Sequence, residues 1–322
     1  MTPKNLCVTG SSGFIGSALV DHLRLAGRNL VLPCRTVLHS GIASDEVMEV
    51  GRIDGATRWS HVLQGQDVVV HLAGLAHVMQ PGPHALAEFR EVNTKGTLNL
   101  ASNAIAAGVK RFIFVSSIGV NGAHTSSSPF TEDSVPSPHA DYAVSKLEAE
   151  LGLWELVRGT DMELVIIRPP LVYAGHAPGN FKRLLALVAS GVPLPFAAIS
   201  NQRSMVALEN LVDFITLGID HPAAANQLFL ISDGVEVSTA DIVQFLAQGM
   251  GRQPRLFRMP SGWMQLAASL TGKQAISNQL CGSLQIDSYK ARSLLAWVPP
   301  STPAGALVKA GVDYKILRAA GK

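Results

Sequence analysis

Five short runs in the first half of the chain are apolar at both alternating sets of positions. The runs are NLCVTG (5–10), NLVLPCR (29–35), DVVVHLAG (67–74), RFIFVSS (111–117) and ELVIIRPP (163–170). Strands have this pattern when helices cover both faces of a parallel sheet. Helical patterns lie between the runs at 14–26, 84–107 and 140–158. The alternation predicts an α/β fold with a doubly wound parallel sheet and right-handed crossovers.

The pattern changes after about residue 170, where prolines and glycines interrupt it in RPPLVYAGHAPGNF and SGVPLPF. A later run, NQLFLIS (226–232), is strand-like, and we expect it to return to the main sheet. The sequence therefore predicts a main domain at 1–170, joined again by about 205–232. A smaller C-terminal lobe is expected to comprise 171–204 and 233–322.

Composition and charge exclude several classes of protein. The 322 residues are 47% hydrophobic and 16% charged, which is typical of a packed globule rather than a disordered chain. The net charge is +2 without clustered Lys and Arg, so no nucleic-acid partner is expected. There is no run of about 18 apolar residues, and MTPKNLCVTG lacks the layout of a signal peptide. We expect no membrane span and a cytoplasmic location.

No metal site is predicted either. The cysteines are far apart, and none belongs to a pair with metal-binding spacing: Cys7, Cys34 and Cys281. The spacing of the histidines is equally unsuited to a metal: His71, His77, His84 and His139. His71 lies within an apolar strand and is interpreted as a core residue.

The first strand runs directly into a glycine-rich turn, VTGSSGFIGSALVDHL, with Gly10, Gly13 and Gly16 in GxxGxxG spacing. Gly10 would permit the tight turn, and Gly13 would let backbone N–H groups approach a pyrophosphate. Gly16 would let the helix pack close to the sheet, with the phosphates at its positive N-terminus. This placement predicts a Rossmann-type dinucleotide site. A tight strand–helix turn without a ligand is the alternative.

The end of the second strand bears on which dinucleotide binds. An NAD site usually has Asp or Glu there for the ribose 2′-hydroxyl, whereas a 2′-phosphate favours an arginine. Here the strand ends with Cys34 and Arg35, and no carboxylate follows in TVLHS. We therefore predict NADP, with NAD as the alternative. Arg35 could also simply point into solvent.

Tyr142 and Lys146 form a YxxxK pair at the start of an amphipathic run, DYAVSKLEAE. Residues four apart lie on the same face of a helix. The spacing alone does not distinguish a solvated pair from a proton donor beside a charge that tunes it.

Six motifs occur in an order that resembles one family. They are TGSSGFIG, HLAG, VNTKGTL, VSS, YAVSK and RPPLVY. Together they are similar to the extended short-chain dehydrogenase/reductases that act on nucleotide-sugars. The resemblance implies a dinucleotide in the main domain, a nucleotide-sugar in the C-terminal lobe and a homodimer. The dimer would form through the helices at about 84–107 and 140–158, where Leu147, Leu151 and Trp154 could supply an apolar stripe.

The resemblance also implies catalytic roles. Tyr142 would be the general acid/base, and Lys146 would lower its pKa from ~10 and bind the nicotinamide ribose. Ser117, 25 residues before Tyr142, would hold the substrate oxygen, with the adjacent Ser116 as the alternative. Asn93 resembles the helix asparagine that steadies the strand bearing the serine. Asn180 and Arg203 resemble residues that contact the phosphates of the nucleotide-sugar.

The remaining predicted cofactor contacts surround the same strand ends. Arg52 stands where many relatives have an aspartate that contacts adenine, so this role is assigned to Ile53 or Asp54. The full predicted cofactor set is Gly10, Gly13, Phe14, Ile15, Gly16, Arg35, Ile53, Asp54, Leu72, Ala73, Gly74, Asn93, Ser116, Tyr142, Lys146, Pro169, Pro170 and Val172.

The resemblance leaves two reactions open. The first is NAD(P)H-dependent 4-keto reduction of a UDP-linked 6-deoxy-N-acetylhexos-4-ulose in polysaccharide precursor synthesis, supported by the stretches PFTEDSVP, GNFKRLLALV and NQRSMVALENLV. The alternative is an NAD-dependent UDP-hexose 4-epimerase. Ala76, Leu171 and the lack of an arginine near residue 277 depart from that epimerase pattern.

Overall fold

A parallel sheet of seven strands forms the centre of the chain. The computed structural model describes residues 4–36, 46–76, 84–259, 263 and 280–321. The sheet order is β3-β2-β1-β4-β5-β6-β9, and every neighbouring pair is parallel. The strands are β1 Asn5–Thr9, β2 Asn29–Cys34, β3 Val47–Glu49, β4 Val68–His71, β5 Arg111–Val115, β6 Glu163–Arg168 and β9 Gln227–Leu230. This arrangement confirms the predicted fold class.

Burial explains why the apolar runs became strands. Every residue of β4 and β5 is buried, and β1 and β6 are buried beyond their first residue. One buried cluster covers each face of the sheet, with Leu19, Ile215 and Phe229 on one side and Leu100, Leu153 and Phe112 on the other. Helices must therefore pack on both faces, as in a doubly wound sheet.

Helices occupy the three predicted helical stretches, 14–26, 84–107 and 140–158, with ends close to these bounds, and further helices lie outside them. The α-helices of the described residues lie on the faces of the sheet and in a second, smaller assembly. They are α1 Phe14–Leu25, α2 Ser60–Leu63, α3 Ala85–Phe89, α4 Thr97–Ala106, α5 Asp141–Val157, α6 Gly179–Ser190, α7 Leu208–Asp220, α8 Thr239–Gly249, α9 Tyr289–Leu295 and α10 Pro303–Ala319. Residues Arg90–Gly96, between α3 and α4, form a π-helical segment that the sequence pattern did not reveal. None of the described helices has the length and apolar character needed to cross a lipid bilayer.

A second, smaller assembly lies against the sheet domain. Strands β7 Leu171–Tyr173 and β8 Met205–Ala207 pair with each other, outside the main sheet. A separate buried cluster joins residues of α6, α8 and α10, including Phe181, Leu246 and Leu307. Strand β9 returns to the main sheet beside β6. The domain boundaries stay a prediction, and residues 260–262, 264–279 and 322 of the predicted lobe lie outside the described residues.

The topology fixes where a ligand can bind. In an open parallel sheet, ligands bind outside the carboxyl ends of the strands, where the strand order reverses. The order reverses between β1 and β4 here, because β2 and β3 lie on one side of β1 and the later strands on the other. The carboxyl ends of β1, β4, β5 and β6 precede the glycine turn, HLAG, VSS and RPP, so the predicted motifs meet at one edge.

Candidate active site

The turn after β1 is compact, and it leaves the N-terminus of α1 without a side-chain cap. Gly10 has φ +72°, a left-handed conformation that favours glycine. A Cβ on Gly16 would lie 2.0 Å from the carbonyl oxygen of Gly10, so only glycine lets α1 approach this closely. Helix α1 begins after Gly13, which provides no side-chain cap, and its first turn contains no acidic residue. The N–H groups of this turn, at Phe14 and Ile15, suit a pyrophosphate.

The segment after β4 forms the opposite wall. A Cβ on Gly10 would lie 2.7 Å from the backbone nitrogen of Ala73, so the two turns are in close contact. A Cβ on Gly74 would lie 3.1 Å from Asn93 Oδ1 and 3.4 Å from Lys146 Nζ. A side chain at position 74 would crowd these two groups. Glycine is therefore favoured there by close packing as well as by the turn at the end of the strand.

The predicted catalytic residues share one cavity of about 230 Å³. Ser117 comes from the end of β5, Tyr142 and Lys146 from the first turns of α5, and Pro169 and Pro170 from the end of β6. The other lining residues are Ile15, Leu72, Gly74, Ala76, Val115, Ser116 and Val172. The cavity thus unites the three predicted catalytic groups with seven further members of the predicted cofactor set.

Lys146 is buried beneath the cavity. Its Nζ donates to the carbonyl oxygen of Val115 at 3.1 Å and lies 4.5 Å from the centre of the Phe114 ring. Burial lowers the pKa of Lys146 from 10.5 to about 8, and the charge of Glu150 acts in the opposite direction. The ammonium is therefore still the main form at neutral pH.

Tyr142 departs from the expectation that Lys146 would lower its pKa. The Lys146 Nζ lies 6.0 Å from the centre of the Tyr142 ring, and Phe89 packs edge-on against that ring. Burial raises the pKa of Tyr142 from 10.0 to about 12. Desolvation of the phenolate is the cause of this shift, and the phenol is protonated at neutral pH.

The structure distinguishes between the two adjacent serines. The Ser116 hydroxyl also borders the cavity, but it donates its proton to the buried carboxylate of Glu150. The Ser117 oxygen accepts from the Gly119 backbone N–H at 3.1 Å, which leaves its O–H to donate into the cavity. Ser117 is therefore the better placed of the two to hold a substrate oxygen.

Asn93 has a different task from the one expected. Its Oδ1 accepts from the Leu75 backbone N–H at 2.8 Å, and its Nδ2 donates to Leu75 O and Ser145 Oγ, each at 3.0 Å. It thus links the segment after β4 to helix α5, which carries Tyr142 and Lys146. These bonds do not reach β5, the strand before Ser117, so the sequence interpretation was wrong on this point.

His71 is a core residue, as the sequence suggested. Thr9 Oγ1 lies 2.6 Å from its Nδ1, and Thr97 Oγ1 lies 2.9 Å from its Nε2. Thr97 donates to Asn93 O, so it must accept from His71 Nε2–H. Burial, and then the charge of Lys146, lowers the pKa of His71 from 6.5 to about 3, so the imidazole is neutral. No group of His, Cys, Asp or Glu suited to a metal occurs among the described residues, which do not include His77.

The adenosine end of the predicted site contains an unexpected carboxylate. Arg35 is exposed at the end of β2. The short strand β3, which the sequence did not reveal, places Glu49 directly opposite Cys34. Burial, followed by the nearby charge of Glu49, raises the pKa of the Cys34 thiol. An acid and a base therefore both lie near the end of β2.

The residues predicted to contact adenine lie close by. Ile53 is half-buried against Gly96, where a Cβ would lie 3.0 Å from its Cγ2. The Asp54 carboxylate accepts from Ala56 N at 2.9 Å and from Thr57 Oγ1 at 3.3 Å. Asp54 therefore stabilises its own turn, and adenine recognition by it stays a prediction.

The predicted substrate residues line a second cavity of about 160 Å³ beside β7 and β8. Asn180 and Arg203 lie there with Leu171, Met205 and Ile242. The Arg203 guanidinium donates to Gly282 O at 3.0 Å, and burial lowers its pKa. Leu171 and Val172 are adjacent and line the two cavities respectively. Position 277 lies outside the described residues.

Sequence reasoning missed two charged residues behind the catalytic cavity. Glu150 and Arg168 form a buried ion pair there. The available signal was the position of Glu150, four residues after Lys146 and so on the same face of α5. Arg168 is a charge at the end of an otherwise apolar strand, where burial requires a partner.

Known proteins are similar to this chain in sequence and in fold. Residues 6–231 match the family described as NAD dependent epimerase/dehydratase. The chain is 44% identical over 305 residues to a UDP-glucose 4-epimerase of Vibrio cholerae, covering 93% of this chain and 92% of that protein. It is 27% identical to the Escherichia coli O157:H7 N-acetyl-alpha-D-glucosaminyl-diphospho-ditrans,octacis-undecaprenol 4-epimerase, covering 90% and 89%. The crystal structure of UDP-glucuronic acid 4-epimerase from Bacillus cereus in complex with NAD has a TM-score of 0.78 at 21% identity, covering 99% and 98%.

Proposed function

The chain belongs to the NAD dependent epimerase/dehydratase family, and from this premise we propose that it is an NAD(P)H-dependent oxidoreductase acting on a nucleotide-activated sugar. One observation supports this most strongly. Ser117, Tyr142 and Lys146 converge in a cavity that also includes Ile15 of the phosphate-binding turn. A proton donor, a cation and a hydroxyl are what carbonyl reduction requires beside a bound nicotinamide.

The residues present fit a nicotinamide dinucleotide. The N–H groups after Gly13 would bind the pyrophosphate, and Lys146 would bind the nicotinamide ribose. Backbone groups at Pro169, Pro170 and Val172 would face the nicotinamide. When bound, this cofactor supplies or accepts the hydride. NADP or NAD is proposed, because Arg35 favours the 2′-phosphate and Glu49 favours the 2′-hydroxyl.

We propose reduction of a 4-keto sugar as the first candidate reaction. With a pKa of about 12, Tyr142 holds its proton at neutral pH and can donate it to a carbonyl oxygen that becomes a hydroxyl. The Ser117 O–H would hold that oxygen, and Asn180 and Arg203 would bind the diphosphate. The proposed substrate is a UDP-linked 6-deoxy-N-acetylhexos-4-ulose, as used in polysaccharide precursor synthesis.

A UDP-hexose 4-epimerase is the second candidate, and the Vibrio cholerae relative favours it. The same residues would serve, because epimerisation at C4 also passes through a 4-keto sugar. Epimerisation differs in its first step, in which Tyr142 must accept a proton from the 4-hydroxyl. That step requires Tyr142 as the phenolate, the same form that proton donation in the reduction leaves behind.

The purified protein distinguishes these reactions in one set of assays. We expect NADPH or NADH to be oxidised only when a UDP-linked 4-keto-6-deoxy-N-acetylhexosamine is added, with product stereochemistry read by NMR. Interconversion of UDP-glucose and UDP-galactose without added cofactor would instead establish the epimerase. If neither a panel of UDP- and dTDP-linked 4-keto sugars nor the UDP-hexoses reacted, the proposed function would be wrong.

A further inference from the structure

A buried ion pair lies directly behind the catalytic cavity. Arg168 is 4% exposed and Glu150 2%. Arg168 Nε donates to Glu150 Oε1 at 3.0 Å, and Nη2 donates to Oε2 of the same carboxylate. This two-point geometry fixes both side chains. Isolated charges at this depth would each cost several kcal/mol, so the pair must form together.

The pair links the segments that carry the predicted catalytic groups. Glu150 belongs to α5, one turn after Lys146, and Arg168 directly precedes Pro169 and Pro170. Glu150 also accepts from the hydroxyl of Ser116, the neighbour of Ser117.

A further bond reaches the turn that follows Ser117. Arg168 Nη1 donates to Asn121 Oδ1 at 2.9 Å. Asn121 in turn donates its backbone N–H to Ile118 O at 2.9 Å, which closes the 3₁₀ turn that begins after Ser117. One ion pair thus fixes α5, the end of β5 and the end of β6 relative to one another.

The pair also determines the charge around Lys146. The groups that face Lys146 are Tyr142 and Glu150 from α5 and His71 from β4, with Arg168 of β6 behind Glu150. Tyr142 and His71 are neutral at pH 7, because their pKa values are about 12 and about 3. Glu150 is therefore the anion of this group, and it favours the charged form of Lys146.

We propose that Glu150 and Arg168 are positioning residues of the active site, which hold Ser117, Lys146 and the Pro169–Pro170 segment in register and keep Lys146 protonated. The inference rests on the proposed function. A purely structural pair would contribute to folding alone. A positioning pair also determines the protonation of Lys146 and the turnover rate.

Glu150→Gln tests whether the charge of Glu150 keeps Lys146 protonated, because glutamine keeps the shape of the side chain and removes its charge. We expect the pH at which Lys146 loses its proton to fall by roughly one unit, as loss of one nearby opposite charge does. The measurement is an NMR titration of protein labelled with ¹³C-lysine, with the Lys146 signal assigned by its loss in Lys146→Arg. It requires neither cofactor nor substrate.

The double variant Glu150→Met with Arg168→Met tests positioning if the single variant fails to fold. Apolar residues of similar volume often replace a buried ion pair without loss of stability. We expect kcat for the UDP-linked 4-keto sugar to fall up to about 10²-fold with little change in KM, because small misplacements of catalytic groups have effects of this size. The Lys146 titration should shift in the same direction as in Glu150→Gln but by less, because the double variant also removes the opposing charge of Arg168.

Glu163→Gln is the matched control. Glu163 pairs with Arg111 at the opposite ends of the strands β5 and β6, so the same chemistry is removed far from Lys146. It should change neither kcat nor the Lys146 titration. A folded double variant with wild-type kcat and an unshifted Lys146 titration would overturn the proposal. If the wild-type protein reduces no sugar tested, the proposed function fails, and the titration alone still decides on the charge of Lys146.

Discussion

At the residue scale, burial has opposite effects on the pKa values of the two groups of the YxxxK pair. It lowers the pKa of Lys146 to about 8 and raises that of Tyr142 to about 12, because it disfavours the charged form of each. Spacing along a helix shows that two side chains are neighbours. It does not show how deeply each is buried, and here burial determines which of them is charged.

Tyr142→Phe removes the proton that the proposed reaction requires. We expect kcat to fall by ~10²–10⁴-fold, which is the usual contribution of a general acid. Fluorescence titration with NADPH should show unchanged binding, because the substitution deletes only the hydroxyl. Tyr289→Phe is the control, since Tyr289 is 65% exposed. Unchanged turnover in Tyr142→Phe would show that this phenol is not the acid.

His71 should make the protein sensitive to acid. The unfolded chain binds a proton at His71 below pH 6.5, whereas the folded protein does not until about pH 3. The unfolded state thus holds more protons in this range, so stability falls as the pH falls, by up to roughly 1.4 kcal/mol per pH unit below about 6.

His71→Gln should be less stable at neutral pH but lose less stability between pH 6 and 4, as measured by urea unfolding. The exposed His61 provides the control, because His61→Gln should keep the wild-type slope. An unchanged slope in His71→Gln would mean that other groups cause the acid sensitivity.

At the scale of elements, the long apolar strands could be predicted and the short ones could not. β5 is buried along its length and β6 beyond its first residue, so their pattern is unambiguous. β3 and β7 have three residues each and form only because neighbouring strands offer hydrogen-bond partners. The π-helical turn at Arg90–Gly96 places Asn93 on Leu75, and no local periodicity indicates such a contact.

Gly16→Ala tests the junction of β1 and α1. The new Cβ would lie 2.0 Å from Gly10 O, so the turn must open and its N–H groups must move. We expect NADPH affinity to fall at least about 10-fold and the thermal midpoint to drop by several degrees. Gly218→Ala in α7 is the control, because its Cβ would lie 3.8 Å from Ile113 Cδ1 and alanine favours helix. Normal NADPH binding by Gly16→Ala would exclude this turn as the phosphate site.

Strand β3 places the Glu49 carboxylate near Arg35, and these two residues should have opposite effects on the preference for NADPH over NADH. Arg35→Ala should raise KM for NADPH about 10-fold and leave KM for NADH unchanged, because only NADPH has the 2′-phosphate. Glu49→Gln should have the opposite effect: it should weaken NADH binding more than NADPH binding. Steady-state kinetics with both cofactors measures this. Equal effects of Arg35→Ala on the two cofactors would remove Arg35 from cofactor recognition.

At the scale of the whole molecule, the strand order explains why distant motifs form one site. Residues 10–16, 72–74, 116–117 and 169–170 directly follow four neighbouring strands, so segments that are distant in sequence lie close together in space. A sequence pattern predicts this wherever the motif follows a strand. It does not predict the pairing of Glu150 with Arg168, because each position alone indicates that a partner is needed without showing which residue provides it.

A homodimer stays a prediction, and the exposure of apolar residues on α5 indicates which surface would form its interface. Leu153 and Val157 face the sheet, whereas Leu151 is 62% exposed and Leu147 and Trp154 are half-buried. The apolar stripe that the sequence indicated is thus only partly covered by the chain itself. A second copy of the same face would bury it, because cyclic dimers use one patch on both subunits.

Leu151→Asp should convert such a dimer to a monomer, because a carboxylate at the two-fold interface would lose its water and face its own copy. Light scattering after size exclusion measures the mass. Leu25→Asp is the control, since Leu25 is 91% exposed on α1, away from α5. If the wild-type protein is a dimer and Leu151→Asp stays one, the interface lies elsewhere. A wild-type monomer at all concentrations tested would mean that Leu151 is exposed in solution, as single apolar residues often are.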